Sequence, residues 1–232
     1  MSANDVAIAQ VRNIARTYDG PPDVAALQEC SLTIPAGDYM ALMGRSGSGK
    51  STLLHILGLL DSPTSGTYQL FGEQVQTLSA RQRAAVRAQH IGFVFQAFHL
   101  IPYLTALENV ELSLSYAAIR RSQRRTVATE SLIALGLEHR LGAYPRTLSG
   151  GEQQRVAIGR AIAKRPKLVL CDEPTGSLDA ESARTVLDTL DGLRDLGLTI
   201  VLVTHDLEVA ARADHTLTIA DGAVQSSTEG TL

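Results

Sequence analysis

The sequence contains no tryptophan, and aromatic residues make up only 4% of its 232 positions. That scarcity argues against a single-strand binder, which needs rings on which bases stack. There are two cysteines, Cys30 and Cys171, far apart and without other ligand-type residues nearby. Two such thiols build neither a disulfide framework nor a zinc site, and they suit a reducing compartment. No apolar run approaches the ~18 residues of a membrane span. The strongest, Leu53 to Leu60, is interrupted by His55. The first residues, Asp5 among them, lack the basic-then-apolar pattern of a secretory leader, so none is expected. A strong charge of either sign is also missing. Lys plus Arg number 21 and Asp plus Glu 24, a net charge of −3. Chains that grip a nucleic-acid backbone are usually clearly basic, so no nucleic-acid partner is expected. Any membrane role has to come through a partner.

What is present is an ordinary globular composition, 44% hydrophobic and 19% charged, which excludes general disorder. No repeat or low-complexity linker divides the chain. The first ~40 residues read as strands, with a broken alternation over Val6 to Val11 and a second stretch over Leu27 to Ile34. The short apolar run Tyr39 to Met43 ends on a glycine, and a helix pattern follows over Lys50 to Leu57. Strand, glycine-rich turn and helix make a βα unit. Strands are expected at Thr67 to Phe71 and Ile91 to Phe95, with a helix over Leu78 to Gln89 between them. Thr105 to Ala118, Arg121 to Leu135 and Gly151 to Lys164 read as helices, a lobe inserted into an α/β core. Leu168 to Cys171 and Thr199 to Val203 are apolar without alternation, which suits parallel strands covered on both faces. A helix over Ala180 to Leu196 separates them, and Asp221-Gly222 marks a terminal hairpin turn.

Gly44-Arg45-Ser46-Gly47-Ser48-Gly49-Lys50-Ser51-Thr52 matches G-x-x-x-x-G-K-[ST] and lies between a strand and a helix, where a phosphate-binding loop belongs. Gly47 and Gly49 let backbone N–H groups turn inward around phosphate oxygens. The helix start adds its positive end. Lys50 supplies a cation for β and γ phosphates, and Ser51 a hydroxyl for Mg²⁺. Such a loop needs a carboxylate for the metal. The run Leu168 to Glu173 ends in two acidic residues. Asp172 would hold the Mg²⁺ shell, and Glu173 would orient the attacking water.

Leu148-Ser149-Gly150-Gly151-Glu152-Gln153-Gln154-Arg155 precedes that strand. It resembles the signature of the ABC ATPases, the nucleotide-binding subunits of ABC transporters. Its chemistry is a second phosphate cradle, with Ser149 as cap and glycine N–H groups at a helix start. Other stretches resemble the family in order along the chain. Tyr18 stands where the family stacks an aromatic on adenine. Gln96 resembles the glutamine that touches Mg²⁺, Ser177-Leu178-Asp179 the D-loop, and His205 the switch histidine at the γ-phosphate.

The resemblance implies ATP and Mg²⁺ as ligands and ATP hydrolysis as the activity. It implies one nucleotide-binding domain over 1–232, its core about 1–95 and 166–232 and its helical subdomain about 96–165. The fold would be a P-loop NTPase core with an N-terminal antiparallel β subdomain and the inserted helices. One phosphate loop and one signature per chain imply a second copy with ATP sandwiched between the two. An integral membrane permease subunit is implied as well, with the chain at the cytoplasmic face of the membrane. Phe93 to Gln96, Leu100 to Val110, Asp172 to Asp179 and Thr204 to Ala211 resemble the macrolide-exporter and lipoprotein-releasing subgroup. Cell-division and importer ATPases share much of these stretches, and a soluble ABC ATPase of the iron–sulfur assembly type stays open. Arg45 departs from the family's usual proline and Glu152 from its usual glutamine. Gly159 stands where alanine is common, at ~1 kcal/mol of helix propensity. The run Arg120 to Arg125 reads as a solvated face or an anionic-lipid contact.

Overall fold

The computed structural model describes residues 7–229. Asp5 and Val6, used above, lie outside them. The chain contacts divide into two compact units, Met1–Ala85 with Leu196–Leu232, and Val86–Asp195. The second unit therefore holds strands as well as the helices expected over 96–165.

In the first unit β1 (Ala7–Tyr18), β2 (Val24–Pro35), β4 (Ser65–Leu70) and the short β5 (Glu73–Gln74) form an antiparallel sheet in the order β2-β1-β4-β5. β1 runs to Tyr18, further than the broken alternation suggested. Register shifts along its pairing with β2 carry it through the irregular stretch, and these scramble the two-residue period that marks a strand. β3 (Tyr39–Met43) lies between β8 (Thr199–Val203) and β9 (His215–Ala220), parallel to both. Every residue of β8 is buried, as its unbroken apolar run requires. β10 (Ala223–Glu229) returns antiparallel to β9. Asp221 and Gly222, with φ of 49° and 79°, give the left-handed turn that favours Asp-Gly there. α1 (Lys50–Leu57) follows β3 and buries Leu53, Leu54, Ile56 and Leu57. At its far end the Tyr68 hydroxyl donates to the Leu57 carbonyl at 2.7 Å.

In the second unit β6 (Ile91–Phe95) pairs parallel with β7 (Leu168–Asp172). α3 (Ala106–Leu114), α4 (Arg121–Ala134) and α5 (Gly150–Ile162) share an apolar core that includes Val110, Leu114, Leu132, Leu137 and Val156. α3 ends at Leu114, short of the expected Ala118. Its start is a capping box of Thr105 and Glu108, which satisfies two orphan N–H groups reciprocally. α6 (Ala180–Asp195) closes the unit; α2 (Ala80–His90) carries the chain across from the first, and α7 (Leu207–Ala210) is one turn after β8. Among the described residues no helix is long and apolar enough to cross a membrane. Cys30 and Cys171 are buried thiols. Burial pushes Cys30 up to about 11 and Cys171 higher still, so neither is a reactive thiolate.

Candidate functional site

The first unit carries the glycine-rich loop between β3 and α1. Gly44 has φ of +151°, and a Cβ there would fall 2.1 Å from the Ile219 carbonyl oxygen. Gly49 has φ of +101°, and its Cβ would lie 2.4 Å from the Ala26 oxygen. Both the conformation and the space demand glycine. Lys50 is buried, and its ammonium donates to the carbonyls of Gly44 and Arg45 at 2.8 Å each. The loop thus has a cation folded over its own oxygens. Gly49, the N-cap of α1, has no side chain to cap the helix, and the first turn carries no acidic residue. The buried Ser48 Oγ has no hydrogen-bond partner. An uncapped helix start, a buried cation and an orphaned hydroxyl suit an incoming anion. From behind, Gly222 donates its N–H to the Ser48 carbonyl at 3.1 Å, and Gln28 donates to the Gly222 carbonyl at 2.8 Å. Arg45 is exposed beside this loop.

His205 leaves β8 at the end where β3 enters the loop, since Thr204 donates its N–H to the Leu42 carbonyl. It is exposed. Asp206 caps the turn that follows by accepting from the Glu208 N–H at 2.8 Å. Tyr18 ends β1, and its hydroxyl donates to Asp61 Oδ2 at 2.7 Å.

The second unit gathers the other candidates. Asp172 ends β7, opposite Phe95 in the β6 register, so Gln96 and Glu173 leave neighbouring strands side by side. Glu173 has a left-handed φ of 44°, a backbone state that costs ~1 kcal/mol or more in a residue with a Cβ. The point a Cβ on Gly176 would occupy lies 2.8 Å from Gln96 Nε2 and 3.4 Å from Glu173 Oε2. The amide and the carboxylate therefore converge over one glycine. Gln154, fully buried on α5, donates its amide to the carbonyls of Phe95 at 3.3 Å and Pro174 at 2.5 Å. It clamps the residue before Gln96 to the residue after Glu173.

Ser149 caps α5, accepting from the Glu152 N–H at 3.2 Å, while Glu152 accepts from the Ser149 N–H at 2.8 Å. Glu152 also accepts from Arg140 Nε at 2.8 Å. Burial alone would push the Glu152 carboxyl up, but the Ser149 N–H and the Arg140 charge outweigh it and hold the group below its ordinary value. The charge that glutamine would lack is thereby neutralised in place. A Cβ on Gly151 would sit 2.9 Å from the Ser182 side chain. Ser182 in turn donates its N–H and hydroxyl to Asp179 at 2.9 and 2.8 Å. Signature and D-loop residues are thus neighbours. Sequence reasoning quoted Gln154 only as part of the signature stretch, with no role of its own, and missed Arg140, Arg16 and Asp61. Each acts as a partner to a motif residue 12 or more residues away or, for Arg16, beside an irregular strand end, and no local pattern marks such pairings.

A family model described as ABC transporter matches residues 27–176. The chain belongs to the ABC transporter family. This ABC cassette is 48% identical over 219 residues to the macrolide export ATP-binding/permease protein MacB of Salmonella choleraesuis (strain SC-B67). The match covers 94% of this chain and 34% of that protein. MacB of Escherichia coli (strain K12) is also 48% identical, with the same coverage. The chain thus spans about a third of the length of these relatives. Among solved structures it resembles the ATP-binding cassette MJ0796 in a dimeric post-hydrolysis state bound to ADP and Pi. The TM-score is 0.88 at 40% identity, covering 97% of this chain and 99% of that one. A second dimeric structure of MJ0796 matches equally. The ABC cassette fold expected from the sequence is the one observed, and the chain is an ABC ATPase.

Proposed function

We propose that this cassette is the ATP-driven motor of an exporter or mechanotransmission complex, working as a dimer on a membrane permease part. The convergence of Gln96 and Glu173 over Gly176 carries the hydrolytic half of this reading. A carboxylate and an amide held together at paired strand ends are what an attacking water needs for orientation. In this reading Lys50 exchanges the Gly44 and Arg45 carbonyls for the β and γ phosphates. Gly44 to Thr52 wrap those phosphates, Ser48 gains its missing partner, and Tyr18 stacks on the base. Ser51, Gln96 and Asp172 would offer Mg²⁺ a hydroxyl, an amide oxygen and a carboxylate, the oxygen donors that this hard cation takes. Bound Mg²⁺ would neutralise charge on the β and γ oxygens. Glu173 orients water on the γ-phosphate and His205 contacts that phosphate. Ser149 to Glu152, with Asp179, close the site from a second copy.

One copy offers one loop and one signature, so ATP favours the paired state and hydrolysis releases it. The relatives named as ATP-binding/permease proteins motivate the membrane part, as do the resemblances to export and envelope-process subgroups. The chain would then sit at the cytoplasmic face of that membrane. Glu173→Gln is expected to keep ATP binding, abolish turnover and elute as a dimer on a sizing column with ATP. Normal hydrolysis by that variant would remove Glu173 from its role. Recovery of tagged protein only from the soluble fraction, with soluble partners, would overturn the membrane reading and favour the iron–sulfur type.

A further inference from the structure

Tyr18 is held more firmly than a partly exposed ring needs to be. Its side of the first unit is built from two pieces distant in sequence: the end of β1, and the turn that leads from α1 into β4. The Asp61 carboxylate accepts three hydrogen bonds and makes one further ion-pair contact. Oδ2 takes the Tyr18 hydroxyl at 2.7 Å and Arg16 Nε at 3.0 Å. Oδ1 takes the Ser62 N–H at 2.7 Å and lies 2.9 Å from the second Arg16 nitrogen as an ion pair. The Arg16 guanidinium also lies 4.4 Å over the centre of the Tyr18 ring. One face of the ring is therefore covered by a cation, and the hydroxyl is fixed at its rim. Tyr18 as a residue remains 38% exposed, which leaves area for a stacking ligand.

The anchor is itself anchored. Asp61 donates its N–H to the His55 carbonyl of α1 at 3.3 Å. Thr64 donates its N–H to the Ala15 carbonyl at 2.8 Å and accepts from the Thr17 N–H at 3.1 Å, stitching the turn to β1. α1 is the helix that opens on the phosphate loop at Lys50. A continuous path of backbone and side-chain bonds thus runs from the loop, along α1, through Asp61 to the ring. Burial alone would push the Asp61 carboxyl up. The Tyr18 hydroxyl, the Ser62 N–H and Arg16 outweigh it and hold it below the ordinary range, so the anchor stays ionised at neutral pH.

We propose that Asp61 and Arg16 are positioning residues for nucleobase binding, locking the Tyr18 ring in one pose and tying it to the phosphate-loop helix. This rests on the reading of Tyr18 as the base-stacking residue. A ring already fixed needs no further ordering when the base arrives, and that saving appears as affinity. The effect belongs to the base and not to the phosphates, which separates it from a general loosening of the loop.

The test compares ADP with tripolyphosphate, which has the phosphates and no base, on Tyr18→Leu, Tyr18→Phe and Asp61→Ala. Tyr18→Phe keeps the ring and the Arg16–Asp61 pair, so it remains informative if Asp61→Ala folds poorly. Tyr18→Phe and Asp61→Ala are each expected to weaken ADP about fivefold and to leave tripolyphosphate within about twofold. They should raise the KM for ATP more than they lower kcat. If Tyr18→Leu weakens ADP while the other two do not, Tyr18 stacks without needing the lock and the proposal falls. If Tyr18→Leu leaves ADP affinity unchanged, the stacking reading falls and takes the proposal with it. Equal losses for ADP and tripolyphosphate would show that Asp61 supports the loop itself, which also overturns it.

Discussion

Glu152 shows how a single departure from a family pattern is absorbed. A carboxylate at the start of α5 does two things that an amide does less well. It completes the capping box as an ionised acceptor for the Ser149 N–H, and it pairs with Arg140. Hydrogen bonds to a charged acceptor are stronger than neutral ones, and an anion in the first turn suits the helix dipole. The linkage has a definite sign. The folded carboxyl titrates below its ordinary value of 4.5. Its contribution to stability is therefore complete above about pH 4.5 and is lost as pH falls through the folded value. Glu152→Gln has no such group. Urea midpoints at pH 6 and pH 4 should show the parent's advantage over the variant shrinking on acidification. An advantage that is the same at both pH values would mean that the charge does nothing here.

At the scale of elements, Gly159 explains a glycine that looks costly in the sequence. It faces α4, where a Cβ would meet Leu135 Cδ1 at 3.2 Å and Leu132 Cδ2 at 3.4 Å. These are the far ends of flexible side chains, so one methyl group is tight but not blocked. Gly159→Ala gains helix propensity and loses packing freedom, and should change stability by less than ~1 kcal/mol. Gly159→Val overfills the same contact and should destabilise by about 1–3 kcal/mol in urea unfolding. If valine proves neutral, α4 and α5 are packed more loosely than these distances imply. The same scale explains what the sequence made legible. The phosphate loop, β7, β8 and the Ser149 cap are local signals: each is set by neighbouring residues and a fixed backbone geometry. The full length of β1, the two-residue β5 and the one-turn α7 were not visible. Register shifts blur the first, and the other two are too short to carry a period. The Asp61 anchor and the Gln154 clamp depend on residues brought together only by the fold.

At the scale of the whole molecule, the proposed cycle couples nucleotide binding to association and to stability. A ligand that binds only the folded protein stabilises it by about 2.7 kcal/mol at a hundredfold excess over Kd. If ATP also holds two copies together, that stabilisation must grow with protein concentration. The Glu173→Gln variant with ATP should therefore show a Tm that rises as the protein is concentrated, and without ATP it should not. A concentration-independent Tm would contradict the sandwich. One further consequence comes from the strand order of the first unit. β3 lies between β8 and β9, the Gly37 N–H donates to the Thr199 hydroxyl 162 residues away, and the Tyr39 N–H donates to Asp214 across 175 residues. At synthesis rates of about 5–20 residues per second, β3 waits on the order of ten seconds for its partners to emerge from the ribosome. Gly44 needs the space beside Ile219, and Ser48 needs the Gly222 N–H behind it. The phosphate loop between β3 and α1 is therefore complete only once the β9–β10 hairpin has been made, and nucleotide capture waits on that hairpin.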